Sequence, residues 1–193
     1  MASLSYIWFS EIPENLHSNK NNAEIELHVI KVFNLYGYAD IEGNIIIRPK
    51  FLNAHEFSDG LAVVKNINGY GYIDKNGKTV IKSKYDFIGD FHDGIAIVTN
   101  GEHEVKPFLS GLINKSGKEI IPPKFRIIND FSEGLASICN TNNEYGYINK
   151  SGNIVIDCKF HWASAFKNGI AYVKIHGNNT YIIGKNGEFI KSK

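Results

Sequence analysis

The chain has 193 residues, of which 43% are hydrophobic and 21% are charged, and its formal net charge is +1 at pH 7. This composition is typical of a folded globular protein with a continuous core. The near balance of charge argues against nucleic acid as the main partner, because phosphate binding normally needs a clustered basic surface.

The N-terminal segment, residues 1–24, lies outside the pattern that organises the rest of the chain, and we expect it to form a cap or an extension. It has no lysine or arginine ahead of its apolar stretch, unlike a secretory signal. No apolar run approaches the roughly 18 residues of a membrane helix. Two cysteines, Cys139 and Cys158, are too few for a disulfide framework. These features predict a cytoplasmic protein that does not engage a membrane.

Residues 25–193 are predicted to form one repeat domain. Its copies begin near residues 37, 71, 111 and 146 with GYADIEG, GYIDKNG, GLINKSG and GYINKSG, and a partial copy, YIIGKNG, begins at 181. Every full copy has a lysine and then a ring at one fixed offset: Lys50-Phe51, Lys84-Tyr85, Lys124-Phe125 and Lys159-Phe160. Six residues after the ring comes a phenylalanine, at positions 57, 91, 131 and 166, and a Gly-x-Ala motif follows it. Such coincidence at fixed offsets indicates one structural unit copied in series.

Each copy predicts the same elements in chain order. The GYID segment is a strand, and the KNG or KSG that follows is a hairpin turn. A second strand comes next, for example KTVIKS, and then a connector without clean alternation, such as KYDFIGDFHDG, which we interpret as irregular. A third strand, for example LAVVK, leads into the next GYID segment. ELHVIKV occupies this third-strand position ahead of the first copy.

The predicted fold class is therefore all-β: a tandem array of three-stranded antiparallel units of about 35 residues, forming a curved, open, solenoid-like structure. The alternative is a closed propeller-like or barrel-like ring, in which Tyr6–Phe9 would pair with the last unit. About 35 residues are few for a four-stranded propeller blade, which favours the open array.

These motifs resemble the WG-repeat family, whose consensus is close to GYGYIDKNGKTVIKSKYDFIGDFHDGIAIV and EYGYINKSGNIVIDCKFHWASAFKNGIAYV. The resemblance covers residues 37–190. Tyrosine replaces the family's hallmark tryptophan at positions 36, 70 and 145, and Ser110 replaces it in the third copy. The resemblance implies a β-rich bacterial repeat protein used for binding, with no shared catalytic residues.

Residues that recur in every copy are predicted to be structural. The repeated rings are expected to be core anchors rather than platforms for a ligand. Two sets of carboxylates are expected to form turns rather than an acid–base pair. They are Asp40 and Asp74, with asparagine in the same position of later copies, and Asp59, Asp93 and Glu133, which precede the repeated glycine. The repeated lysines Lys50, Lys84, Lys124 and Lys159 would form a line able to contact an acidic partner, although each stem can instead cover the adjoining ring.

Positions where the copies differ are better candidates for binding. Copy four has His161 and Trp162 where the others have Leu-Asn, Asp-Phe and Arg-Ile. An isolated tryptophan there suits a binding hot spot or, alternatively, a local core filler. A long connection, residues 99–110, follows copy two and has the composition either of a recognition loop or of a merely solvated one: Glu102, His103, Glu104, Lys106 and Phe108.

No motif predicts an enzyme. Cys158 and His161 lack the further ligands of a zinc site, and neighbouring residues in a connector are more often structural than a nucleophilic pair. The Gly71–Thr79 segment resembles a phosphate loop but has five residues between its glycines instead of four. We therefore expect no metal and no cofactor.

The sequence thus predicts a non-enzymatic module that binds another protein. The most specific version is an immunity protein that neutralises a cognate bacterial toxin. The alternative is a small-ligand or glycan-binding repeat protein with one site in each unit.

Overall fold

The fold is a series of five small antiparallel β-sheets that follow one another along the chain. The computed structural model describes residues 25–102, 106–175 and 179–190. Within these ranges no helix long and apolar enough to span a membrane occurs, since the regular structure there is entirely β.

The first and last sheets have three strands each. Sheet 1 contains β1 (Leu27–Val32), β2 (Leu35–Asp40) and β3 (Ile45–Phe51), and sheet 5 contains β16 (Trp162–Ala163), β17 (Ile170–Lys174) and β18 (Thr180–Gly184). The three middle sheets have four strands each. Sheet 2 contains β4 (Asn53–Ala54), β5 (Leu61–Asn66), β6 (Gly69–Asp74) and β7 (Thr79–Tyr85). Sheet 3 contains β8 (Phe87–Ile88), β9 (Ile95–Glu102), β10 (Lys106–Asn114) and β11 (Glu119–Phe125). Sheet 4 contains β12 (Ile127–Ile128), β13 (Leu135–Cys139), β14 (Tyr145–Asn149) and β15 (Ile154–Phe160).

The order of the three long strands confirms the sequence prediction. In sheet 2, β5 pairs with β6, and β6 pairs with β7. The LAVVK strand therefore leads into the GYID strand, which leads into the KTVIKS strand, as predicted. The ELHVIKV segment takes the predicted place as β1, where Val29 lies opposite Tyr38.

The KNG turn is the predicted hairpin, with a geometry in which only the glycine has a positive φ. The Gly77 amide donates to the Asp74 carbonyl at 2.9 Å, and the Asp74 amide donates to the Lys78 carbonyl at 3.0 Å. The Asp74 carboxylate also accepts from the amides of Asn76 and Lys78, at 3.0 and 2.9 Å. The same side-chain cap is made by Asp40, Asn114 and Asn149. The turn role predicted for this position is therefore confirmed.

The connector is more regular than the sequence predicts, and its interpretation as irregular is wrong where the connector begins. It opens with a two-residue strand, so that β4 pairs with β5 through Asn53 and Ala54. It closes with a two-residue hairpin turn, in which Asp59 and Gly60 have φ of 53° and 82°. Positive φ at both central residues matches the right-handed twist of the flanking strands.

Each hydrophobic cluster lies between two consecutive sheets. Tyr72 and Tyr85 of sheet 2 pack with Phe91 and Val98 of sheet 3, and three further clusters repeat this arrangement along the array. Sheets packed face to face lie about 10 Å apart. Every unit therefore contributes one face to each neighbour, and the core is continuous.

A ring pair and a hydrogen bond recur at these junctions. Tyr72 contacts Phe91 with ring centroids 4.6 Å apart, and its hydroxyl donates to the Gly89 carbonyl at 2.5 Å. The equivalent tyrosines Tyr38 and Tyr147 donate to the carbonyls 17 residues further along the chain, at 2.8 Å in both cases. Burial raises the pKa of all three phenols, so each remains a protonated donor. The predicted anchor role of the repeated rings is thus confirmed.

A second junction contact uses the acidic residue of the two-residue turn. The Asp59 carboxylate accepts from the Gly94 amide of the next sheet at 2.7 Å, and Glu133 accepts from the Gly169 amide at 3.0 Å. Lys185 also lies 3.1 Å from Glu133, which lowers the pKa of that carboxyl. These carboxylates fasten one unit to the next, which explains why the position recurs.

The described strands form an open array. No strand of sheet 5 is hydrogen-bonded to a strand of sheet 1 within residues 25–102, 106–175 and 179–190. The predicted pairing of Tyr6–Phe9 with the last unit, like the predicted cap at 1–24, lies outside the described residues.

Candidate functional site

The two ends of the sheets differ, and one of them collects the predicted binding residues. We call it the crossover end, because the chain passes there from the last strand of one sheet to the first strand of the next. The four crossovers lie between β3 and β4, β7 and β8, β11 and β12, and β15 and β16. The opposite end, which holds the KNG and two-residue turns, is called the turn end.

The four repeated lysines lie at the crossover end, one in each of sheets 1 to 4. Each is the penultimate residue of the last long strand and is exposed. The Nζ atoms of Lys50, Lys84, Lys124 and Lys159 lie 5.2, 4.9, 5.2 and 5.5 Å from the centroids of the rings that follow them in sequence. An exposed pair of this kind contributes about 0.5–1 kcal/mol. The rings beneath are buried, so each lysine stem covers its ring while the ammonium group remains in solvent.

A second set of lysine–ring pairs, which the sequence analysis missed, lies at the same end. Lys31 and Lys65 place their Nζ atoms 5.2 and 4.9 Å from the rings of Tyr36 and Tyr70. In both cases the lysine and the tyrosine lie opposite each other on neighbouring strands. The sequence signal for these pairs was a lysine five residues before Tyr36 and Tyr70. In sheet 3 a Thr99–Ser110 hydrogen bond of 3.0 Å replaces the pair.

The crossovers themselves carry exposed apolar side chains. Leu52, Phe87, Ile127 and Trp162 each occupy a crossover and are between 40% and 55% exposed. The last three begin the short strands β8, β12 and β16, which places them at equivalent positions of sheets 3, 4 and 5.

Copy-four residues His161 and Trp162 lie in the last crossover. The His161 amide donates to the Lys174 carbonyl at 2.8 Å, and Trp162 lies opposite Lys174 in the sheet. Burial raises the pKa of the nearby Cys158 thiol, with negative neighbours adding to the effect. A nucleophilic cysteine needs a lowered pKa, so this environment does not favour the Cys158–His161 pair considered from the sequence.

The predicted loop at 99–110 is mostly strand. It forms an extended hairpin in which Lys106 lies opposite Glu102. The prediction of a connecting loop there is wrong, because both strands continue past the length seen in other units. Phe108 contacts Phe87 with centroids 5.6 Å apart. The Gly101 amide donates to the Asp86 carboxylate at 2.9 Å. The structure therefore joins this hairpin to the second crossover. His103 and Glu104 lie outside the described residues.

A concavity lies between sheets 3 and 4. It has a volume of about 410 Å³ and is lined by residues that include Leu112, Phe131, Asp90, Asp130 and Lys150. Leu112 takes the place of the tyrosine that fills this junction in other copies, which accounts for part of the space. Among the described residues no group of three or more His, Cys, Asp or Glu side chains is placed to hold a metal ion.

Comparison with known proteins identifies the repeat. The family model described as WG containing repeat matches four times, at residues 36–69, 70–102, 111–143 and 145–178. The chain belongs to the WG-repeat family. The four WG repeats coincide with the copies defined by the lysine–ring offsets, and they include both the buried anchors and the crossover residues.

Solved structures add information on the fold of the WG repeats. A crystal structure of a eukaryotic initiation factor matches with a TM-score of 0.57 and 13% identity, over 89% of this chain and 52% of that chain. This likeness shows the fold alone, and the WG-repeat chain spans about half of that chain's length. The computationally designed Ika4 protein matches with a TM-score of 0.40 and 15% identity, over 66% of this chain and 87% of that chain. No curated protein matches.

Proposed function

We propose that this protein is a non-enzymatic binding module that holds another protein at its crossover end. One observation carries the proposal. The rings that all copies share are packed between sheets, whereas each crossover carries one large, exposed apolar side chain that differs from copy to copy: Leu52, Phe87, Ile127 or Trp162. A constant scaffold with variable exposed positions is the arrangement that repeat proteins use for recognition.

The hairpin tips at the crossover end support the same conclusion. Phe33 and Ile67 lie in the β1–β2 and β5–β6 turns and are 93% and 90% exposed. Phe33 also has a φ of 46°, which is rare for a bulky residue. Apolar side chains this exposed are available to a partner, and strained backbone often accompanies function.

A glycan-binding module finds less support. Lectin-like recognition with one site in each unit would need repeated rings open to solvent, whereas the repeated rings here are packed against the next sheet. The repeated carboxylates are likewise engaged in turns and junctions, which leaves no recurring acid–base pair for an enzyme.

The finer proposal is an immunity protein that neutralises a toxin encoded beside it. We would test it by placing the photo-cross-linker p-benzoylphenylalanine at Ile127 and mixing the protein with the purified product of the adjacent gene. Val155 provides the matched control, because it is 41% exposed, against 40% for Ile127, and lies toward the turn end of β15. Cross-links from position 127 and none from 155, together with loss of the product's toxicity, are the expected result. Cross-linking from 155 alone would overturn the crossover end as the binding surface, and binding without loss of toxicity would overturn the immunity role.

A further inference from the structure

Charge is distributed unevenly between the two ends of the array, although the chain as a whole is nearly neutral. The crossover end has a lysine near the end of seven long strands: Lys31, Lys50, Lys65, Lys84, Lys124, Lys159 and Lys174. Arg126 adds an eighth positive charge, while Asp86 and Glu144 are negative. Glu102 and Lys106 lie opposite each other in the backbone register of β9 and β10, and their formal charges cancel.

Three lysines at the turn end are compensated by carboxylates of neighbouring units. Lys115, Lys150 and Lys185 lie 3.9, 2.5 and 3.1 Å from Asp59, Asp93 and Glu133 of the preceding units. Their charge is therefore used within the protein to connect sheets.

Lysines at the crossover end have a different environment. Six of the seven lie over aromatic rings, at 4.9–5.5 Å from the centroids. Across the part of the chain that the structure describes, none of the seven has a carboxylate within 4.0 Å. A ring supports a cation without neutralising it, so a net positive potential remains along this end.

We infer that the crossover end recognises an acidic protein surface, and this inference rests on the proposed binding function. Carboxylates of the partner would meet the lysine row, and apolar side chains of the partner would pack on Leu52, Phe87, Ile127 and Trp162. Complementary charge of this kind steers association and selects partners, while the apolar anchors contribute most of the affinity.

Spacing and residue type favour a protein over a nucleic acid. Duplex DNA presents one negative charge per about 1.7 Å of its axis, whereas the repeated lysine recurs once per sheet, at about 10 Å. The row contains lysines, and Arg126 is the single arginine at this end among the described residues.

The test uses the full-length protein and fluorescent poly(Glu,Tyr), a copolymer with carboxylates and aromatic rings. Fluorescence anisotropy would be measured from about 0.01 M to about 0.15 M NaCl, over which the Debye length falls from about 30 Å to about 8 Å. The crossover variant is Lys84→Gln, Lys124→Gln, Lys159→Gln. The control variant, Lys78→Gln, Lys118→Gln, Lys167→Gln, removes the same charge from exposed turn-end lysines. Circular dichroism would verify that both variants are folded.

We expect binding that weakens with salt, and an affinity about tenfold lower for the crossover variant, since each exposed charge contributes a fraction of a kcal/mol. The control variant is expected to stay within about twofold of the wild type. No binding at low salt, or an equal loss in both variants, would overturn the inference, as would tighter binding of an oligothymidylate than of poly(Glu,Tyr). The cross-linking at position 127 is independent of charge. If a partner is cross-linked but poly(Glu,Tyr) does not bind, only the preference for an acidic partner is refuted. If no cross-link forms, the proposed function is refuted.

Discussion

Replacing Phe91 with alanine should show how much each junction between sheets depends on its ring pair. Phe91 is fully buried, and its ring centroid lies 4.6 Å from that of Tyr72 on the preceding sheet. Removing a buried phenylalanine side chain costs about 3–5 kcal/mol, because apolar contacts are lost and the cavity collapses only in part. Of this, about 0.5–1.5 kcal/mol belongs to the interaction between the two rings.

The chain provides its own reference for the ring interaction. At the next junction Leu112 occupies the tyrosine position and packs near Phe131, so leucine is tolerated there. A double-mutant cycle of Tyr72→Leu and Phe91→Ala isolates the pair, and Phe131→Ala serves as the comparison at the junction where leucine replaces the tyrosine. Free energies of unfolding would come from urea titration followed by far-UV circular dichroism.

We expect a coupling energy near 1 kcal/mol for the cycle and a smaller cost for Phe131→Ala than for Phe91→Ala. Distant, independent sites add within about 0.3–0.5 kcal/mol. Additivity within that range, together with a cost below about 1 kcal/mol for Phe91→Ala, would refute the role of the repeated rings as junction anchors.

Three further predictions concern the junctions and Cys158. Leu112→Tyr should fill part of the 410 Å³ concavity and allow a hydroxyl to donate to the Asn129 carbonyl, raising the free energy of unfolding by about 1 kcal/mol; a loss of stability would contradict this. The pKa values of Asp93 and Glu133 are lowered, chiefly by hydrogen bonds from Lys150 and Lys185, below ordinary values of 3.8 and 4.5. Their contribution to the free energy of unfolding is complete above the ordinary pKa values and is lost as the pH falls through the lowered ones. The double variant Asp93→Asn, Glu133→Gln should therefore flatten the acid side of a stability–pH curve. An unchanged slope would count against the junction role. Because burial raises the pKa of Cys158, its alkylation by iodoacetamide at pH 8 should be slower than that of free cysteine, and faster alkylation would reopen the nucleophile hypothesis.

The repeated core was predictable because every unit packs against its neighbour through side chains at the same positions. Fixed offsets between the lysine, the ring and the phenylalanine could be seen directly in the sequence, and the structure places these rings between sheets. The short strands were not predictable, since β4 has two residues and two residues cannot display an alternating pattern. The Asp59-Gly60 turn was predictable, because an acidic residue precedes the repeated glycine ahead of an apolar strand in three of the copies.

The crossover end was predictable only in part. Lysines at a fixed offset indicated a line, and the unusual His161-Trp162 pair indicated a local difference. Contact between Phe87 and Phe108 depends on how far the β9–β10 hairpin extends, and the length of a hairpin is not encoded in a local pattern. The difference in charge between the two ends could not be predicted from the sequence, because the direction of each strand in the structure decides at which end of its sheet a lysine lies.

Two adjacent isoleucines allow the most direct test of the division between buried scaffold and exposed surface. Ile127 and Ile128 form β12, and they are 40% and 6% exposed. We expect Ile128→Ala to lower the free energy of unfolding by about 2–4 kcal/mol, as for a buried isoleucine, and Ile127→Ala to lower it by less than about 1 kcal/mol. Equal losses from the two substitutions, or a larger loss from Ile127→Ala, would contradict the assignment of the crossover residues to a partner.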